Sequence, residues 1–333
     1  MGGTILVRGD GIAAVCCSRL LIQAGLSVTV EGPPRPKLPA IMVSEATQKL
    51  FQDIFERPDL FEGLTRVHHR VVTWGPGAEP VAFPHSAVVT SEEALLERIL
   101  RPEVPGSHRG EEAAWTVFAA RPLPGAIEEK HFGSRVANVA SVRLKPESPA
   151  ETCWIESLDD GWLFLLPTGE CAWLLSVGGP VDSQLARSRV IARQVLEIHS
   201  EGSSFQSHPR IASSLCAPRW LACGTAALAF DPLCGEGAGN AAREAILASA
   251  VIRAALAGAD VNALLAHYSG RLTAGFRRHL QVCEDFYRSG GANSWWQEQC
   301  TATRRGIERC ESALAHSGKP RFRLNGFSLE ALD

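Results

Sequence analysis

The sequence predicts an α/β protein, with a βαβ unit at its start, an inserted antiparallel sheet and a helical C-terminal part. Three observations predict it. A glycine-rich turn links a β-branched run to a helical pattern near residue 10. Strand-length apolar runs crowd residues 130 to 180, and apolar residues recur at three- and four-residue steps from 265 to 287.

The bulk properties set the frame. A chain of 333 residues, 45% hydrophobic and 21% charged, is globular and holds about two domains. With 33 basic and 36 acidic residues the net charge is -3, which argues against gripping nucleic acid or an anionic membrane by bulk electrostatics. No run of about 18 apolar residues is free of charges and breakers, so no transmembrane helix is expected. MGGTILVRGDG lacks a basic n-region and a cleavage site and reads as the approach to a strand, not as a signal peptide. The ten cysteines include no C-x-x-C and no Cys/His grouping at zinc-ligand spacing. Most lie in apolar runs and read as reduced core thiols of a cytoplasmic protein.

TILVR at 4–8 is a short strand, and it leads into Gly9-Asp10-Gly11-Ile12-Ala13-Ala14. Ala14, Cys17, Leu20, Leu21 and Ala24 then recur as on a helix that Gly25 closes. SVTVEG follows as a second strand, ending on Glu31 twenty positions after Gly11. Gly9, Gly11 and Ala14 form a G-x-G-x-x-A turn that lets the backbone approach a pyrophosphate at the helix N-terminus. Glu31 is placed to accept hydrogen bonds from ribose hydroxyls, which suits FAD or NAD.

Residues 220–239 read WLACGTAALAFDPLCGEGAG and open a long helix, NAAREAILASAVIRAALAG, that is apolar on most faces and therefore buried. Its glycine-rich start offers free N–H groups to a ligand with partial negative charge. Gly224, Ala226, Ala227, Pro232, Gly235 and Gly237 resemble the second flavin motif of the FAD-dependent aromatic hydroxylases and flavin-dependent halogenases. That superfamily has a p-hydroxybenzoate-hydroxylase-like fold. The Asp231-Pro232-Leu233 triplet is closest to the halogenase branch.

The resemblance implies FAD, bound by Gly9, Gly11, Ala14 and Glu31 and by Gly224, Thr225, Asp231, Pro232, Gly235, Gly237 and Ala238. It implies a discontinuous Rossmann-type FAD-binding domain (1–125 and 210–290), an inserted antiparallel substrate domain (126–209) and a C-terminal helical segment (291–333). VANVASVRL, TCWIES, WLFLLP and CAWLLSV supply the inserted sheet, read as a meander with a turn at Asp159-Asp160-Gly161. Its Trp154, Trp162, Phe164 and Trp173 read as cavity lining or as aromatic core.

Four departures from the family narrow the function. Thr225 stands where the family carries an acid, leaving an uncharged hydroxyl for the ribityl chain. The halogenase W-x-W-x-I-P appears only as Trp162-Leu163-Phe164-Leu165-Leu166-Pro167. Residues 50–100 hold no lysine to hand over a halogen, and Lys37 and Lys49 lie outside the halogenase context, which disfavours halogenation. Arg121-Pro122-Leu123-Pro124-Gly125 occupies the place of the D-G motif, pointing away from direct NADPH use and towards a separate flavin reductase or electrons from the substrate.

PKLPAIMVSEATQKLFQDIF, VHHRVVTWGPG and PHSAVVTSEEALLERIL are loosely similar to a branch that oxidises protein-bound tryptophan in quinone-cofactor maturation. The implied activity is monooxygenation of an indole or phenol, free or protein-bound, through a flavin C4a-hydroperoxide. A flavin oxidase or dehydrogenase, and a non-catalytic flavoprotein serving a partner's maturation, are the alternatives. Glu236, between two glycines at the expected flavin edge, reads as an acid, base or positioning group, or as a carboxylate favoured by the helix dipole. His68, His69 and His85 read as ordinary loop histidines before they read as site groups. Asp260 caps a helix, the Gly290-Gly291 pair ends it, and Ser294 to Gln297 fits a capping box for another. Trp295 and Trp296 read as packing first, then as a lid or a docking surface.

Overall fold

Ile5 and Val7 alternate with more open neighbours and form β1 (Ile5–Arg8). The chain turns at Gly9 into α1 (Ile12–Gln23), which buries Ile12, Ala13, Ala14, Cys16, Cys17, Leu20 and Leu21. It then returns as β2 (Val28–Glu31), parallel to β1 with Ile5 opposite Val28 and Arg8 opposite Glu31. The expected βαβ unit forms within one or two residues of its expected bounds. The structure, a computed structural model, describes residues 3–100, 113–169, 171–316 and 318–332.

The chain continues through β3 (Ile41–Ser44), α2 (Glu45–Phe55), β4 (Thr65–Thr73), β5 (Val81–Thr90), α3 (Glu92–Ile99), β6 (Trp115–Phe118) and β7 (Glu129–His131). Next come β8 (Val136–Leu144), β9 (Thr152–Leu158), β10 (Gly161–Pro167), β11 (Cys171–Val177), α4 (Val181–Arg187) and β12 (Val195–Gln206). The last third holds β13 (Arg210–Ala212), β14 (Cys216–Ala217), β15 (Trp220–Ala222), β16 (Leu228–Ala229), α5 (Gly237–Leu256), α6 (Val261–Gly290) and α7 (Ser294–Ala315). A hairpin of β17 (Phe322–Asn325) and β18 (Ser328–Ala331) ends it.

Two large sheets result. The first, ordered β14-β15-β6-β1-β2, is parallel apart from β14 and brings strand ends from both halves of the chain side by side. The second is eight-stranded, ordered β12-β8-β11-β10-β9-β4-β5-β3. Three short strands, β16-β13-β7, form a third sheet. α5 runs through the main core, burying Ala242, Ala245, Ala248, Ile246, Val251 and Ile252 among residues of α1 and the first sheet. Its alanines let α1 approach closely.

Three sequence expectations change. The eight-stranded sheet reaches beyond 126–209, because β3, β4 and β5 join it through a parallel pairing of β4 with β9. It is a meander only over β9-β10-β11, since β8 crosses to pair with β11. The C-terminal segment is not wholly helical: β17 and β18 pair around Gly326, and Phe322, Leu324, Phe327 and Leu329 pack on the main core. Asn325-Gly326 between alternating apolar residues was the signal for that hairpin.

The helix ends are close to expectation. Asp260 caps α6, accepting from the Asn262 and Ala263 amides. Asn293, one residue before the expected Ser294, caps α7 through the Trp296 amide. The Trp296 indole N–H donates to Leu158 O at 3.0 Å and Asp159 O at 2.9 Å, so α7 locks the β9–β10 turn. A side chain at Gly290 or Gly291 would strike the Trp296 ring, so this glycine pair exists to admit the indole as much as to end α6. No helix among the described residues is long and apolar enough to cross a membrane.

Candidate functional site

The first turn opens at the C-terminal edge of the parallel sheet. A cleft of about 260 Å³ there is lined by Arg8, Gly9, Glu31, Gly32, Ala120 and Arg121. α1 starts at Gly11 with no side-chain cap and no acid in its first turn, which leaves its dipole and first N–H groups to attract an anion. Two cations stand beside that helix start. Arg35 pairs with Asp10 and with the buried Glu92, and its guanidinium lies 2.5 Å from where a Cβ on Gly11 would be. Lys37 Nζ donates to Asp10 Oδ2 and, at 2.9 Å, to Asp10 O. Burial works to raise the Asp10 carboxyl, but the hydrogen bonds from Lys37 and the Arg35 N–H outweigh it and hold the group low. The sequence reading missed Arg35. A basic pair (Arg35, Lys37) just after the strand-end acid was the available signal.

The second turn lies against the first. Gly224 has φ +56°, and a Cβ there would sit 2.7 Å from the Ala13 Cβ in the first turn of α1. Only glycine fits both constraints. Its amide donates at 2.7 Å to Glu244, a buried α5 carboxyl that sequence reading passed over inside an apolar helix. The buried Tyr268 hydroxyl donates at 2.6 Å to Ala222 O and fixes the strand leading in. Thr225 is exposed and engages Arg210 only through its carbonyl, so its hydroxyl remains available. Pro232 to Cys234 make one tight helical turn closed by Gly235 in the left-handed region. α5 then starts without a side-chain cap, with open space around Gly237.

Burial pushes the Glu244 carboxyl up to about 8, against the Gly224 hydrogen bond that favours the charged form. The folded chain therefore keeps a proton that the unfolded chain releases. Stability from this group is complete below about pH 4.5 and is lost as the pH climbs towards 8. Glu244→Gln keeps an acceptor for the amide without titrating. Urea midpoints across that pH range should therefore slope downward less in the variant than in the wild type. Equal slopes would remove Glu244 from this role.

The Asp231 carboxylate is engaged within the protein. It accepts from the Leu233 amide at 3.0 Å and the Tyr287 hydroxyl at 2.6 Å, and pairs with Arg135 at 3.0 Å. Arg135 and Asp231 have 0% and 1% side-chain exposure. Arg135 also stacks 4.5 Å over the Tyr287 ring and donates to Gln299 at 2.7 Å. The sequence placed Asp231 among the cofactor ligands because its motif position could not reveal an arginine ninety-six residues upstream. Its role is to shape the turn and tie it to the large sheet, α6 and α7.

The large sheet turns one face to this turn. Strand alternation splits the four aromatic residues. Trp162, Phe164 and Trp173 share a face, because Leu166 on that face pairs with Trp173, while Trp154 pairs with Leu165 on the other. Trp162 is fully buried against Tyr287 and Trp296, so it is core. Met42 and Arg70 approach the turn: a Cβ on Gly235 would lie 3.2 Å from Met42 Cε and 4.0 Å from Arg70.

Arg70 contacts His85 Nε2 at 3.3 Å. Its Nε is buried without a partner, and no carboxylate pairs with it among the described residues. Burial, then Arg70, lowers the His85 pKa, and the nearby Glu236 works to raise it. Glu236 itself lies 3.4 Å from the Thr47 hydroxyl and 3.7 Å from Arg243. His68 and His69 are exposed on β4, with His68 3.9 Å from Glu151. Only His85 of the three histidines reaches the site.

No protein-family model and no curated protein sequence matches the chain. Solved structures do. CmlS, a flavin-dependent halogenase, aligns with a TM-score of 0.74 at 17% identity over 98% of this chain and 74% of its own. QhpG, a peptidyl tryptophan dihydroxylase essential for tryptophylquinone cofactor biogenesis, aligns with 0.68 at 21% identity over 90% and 79%. HpxO from Klebsiella pneumoniae, solved with FAD and uric acid, aligns with 0.66 at 17% identity over 95% and 97%. The chain has the fold of the FAD-dependent halogenase and monooxygenase superfamily.

Proposed function

We propose that the chain is an FAD-dependent monooxygenase that hydroxylates an electron-rich aromatic, an indole or a phenol, either free or carried by a peptide. One observation carries this reading: two glycine turns from opposite halves of the chain meet where Gly224 lies on Ala13. A single glycine turn serves many nucleotides, and two that adjoin at uncapped helix starts suit a dinucleotide as long as FAD.

The residues present fit FAD. Glu31 would accept from the ribose hydroxyls, and Arg8 and Arg121 line the same cleft. The α1 start, with Arg35 and Lys37, would hold the diphosphate. The Thr225 hydroxyl would meet the ribityl chain, and the open start of α5 at Gly237 and Ala238 would face the electron-rich edge of the ring. In this reading the FAD-binding part comes from both ends of the chain, and the eight-stranded sheet, β3, β4 and β5 included, is the substrate part.

FAD, when bound, supplies the oxygen-activating chemistry. The chain's own residues orient the substrate and keep water out. Met42 and Phe164 give the sheet face apolar cover. Arg70 can only donate, so its contact makes His85 Nε2 an acceptor and leaves the ring proton on Nδ1. His85 then serves as a hydrogen-bond donor, and Arg70, lacking a carboxylate partner, holds the polar end of the substrate. Phe83, 49% exposed and opposite Arg70 in the β4–β5 ladder, widens the apolar face and favours a tryptophan-bearing peptide over a small buried ligand.

The test is turnover under ¹⁸O₂ with separately reduced flavin, offering indole, phenol and a tryptophan peptide. One labelled oxygen in an aromatic product is the predicted outcome. Oxidised product without label, formed with matching hydrogen peroxide when no reductant is supplied, would make the chain an oxidase, and no turnover by FAD-loaded protein would make it a non-catalytic flavoprotein.

A further inference from the structure

We propose that Cys234, His279 and Cys283 form a binding site for one thiophilic d¹⁰ metal ion, Zn(II) or Cu(I). The two sulfurs and a ring nitrogen of His279 all lie within 4.8 Å of one another. Cys283 Sγ is 3.3 Å from His279 Nε2. Tetrahedral zinc with sulfur and nitrogen ligands sets such atoms about 3.5–3.8 Å apart. Small side-chain rotations are enough to close the site.

The positions are built by the fold. His279 and Cys283 are one turn apart on α6 and face the same way, as i and i+4 must. Cys234 comes from the last position of the tight turn before Gly235. The chain has no C-x-x-C, and the third ligand lies too far along it to be seen by spacing. The donor set is soft: two thiols and an imidazole, with no carboxylate among them. That selects Zn(II) or Cu(I) over magnesium, calcium or manganese. Two thiolates also neutralise a divalent cation, and the adjacent Arg135–Asp231 pair adds no net charge.

The surroundings fit as well. The Asp231 amide donates to His279 Nε2 at 2.8 Å, so the lone pair aimed at the cysteines is not protonated. A metal would take that lone pair in exchange for the amide hydrogen bond. Phe230 packs edge-on against the imidazole at 4.9 Å and keeps the ring in place. Bound there, the ion would fasten the turn carrying Gly235, Glu236 and Gly237 to α6. The site does not depend on flavin being bound.

The experiment uses the full chain, reduced and stripped with chelator under anaerobic conditions. Zn(II), Cu(I) and Co(II) are each added, and bound metal is counted by elemental mass spectrometry after gel filtration. The prediction is one equivalent per chain, a thiolate-to-cobalt charge-transfer band with Co(II), and a higher melting temperature with Zn(II). Cys234→Ser and Cys283→Ser should each weaken binding by about tenfold or more and remove intensity from the band, while Cys300→Ser leaves both unchanged. If the serine variants fail to fold, alkylation of the wild type decides: metal should slow iodoacetamide labelling of the half-buried Cys234 and leave that of the exposed Cys171 unchanged. No retained metal, equal binding by all variants, or a Cys234–Cys283 disulfide in place of metal binding would each overturn the proposal.

Discussion

Arg135→Ala should cost about 3–5 kcal/mol of folding stability, because it leaves Asp231 charged, buried and unpaired. The arginine is fully covered, and it reaches Asp231 in the second turn, Tyr287 in α6 and Gln299 in α7. Its removal deprives three elements of their common partner at once. Urea unfolding should show a lower midpoint with an unchanged slope, and any folded fraction should bind FAD poorly because the turn at 232–237 loses its anchor. A loss below about 1 kcal/mol would mean that water or another cation replaces the guanidinium. Arg304→Ala is the contrast: its guanidinium is exposed and its pair with Glu284 is screened by water, so the urea midpoint should barely move.

Gly224→Ala should combine a stability loss of about 2–4 kcal/mol with at least tenfold weaker FAD binding. Left-handed backbone costs a non-glycine residue about 1–2 kcal/mol, and the forced contact with Ala13 adds overpacking of similar size. The two costs can be separated. Ala13→Gly in the same chain removes the steric clash and leaves the backbone strain, so the double variant should recover part of the loss. If Ala13→Gly recovers nothing, the two glycine turns do not touch in solution.

The N-terminal βαβ unit was legible residue by residue, from Ile5 to Glu31, because its signals are local: a strand, a glycine turn, a helical period and a strand-end acid. The second turn was legible as a motif for the same reason. What sequence could not show was pairing between distant side chains. Asp231 looked like a cofactor ligand and is held by Arg135. Glu244 looked like one polar residue in an apolar helix and bonds the Gly224 amide.

The substrate side was the least legible. His68, His69 and His85 read as loop histidines near strand ends, yet they lie within the long strands β4 and β5, and β9, which pairs with β4, lies some eighty residues further on. Arg70 drew no notice there, although no carboxylate pairs with it among the described residues and it approaches the turn at Gly235. Among the histidines, strand alternation and a bulge between Val67 and His69 decide which one turns inward, and no local pattern encodes that.

Binding of FAD by the purified chain tests this account most directly. The folded protein, reconstituted with excess FAD and passed through gel filtration, should carry one flavin per chain, with absorbance near about 370 and 450 nm. Glu31→Ala, which alters only the expected ribose contact, should reduce retention while leaving the folded spectrum intact. A well-folded wild-type chain that emerges from the column without flavin would contradict it.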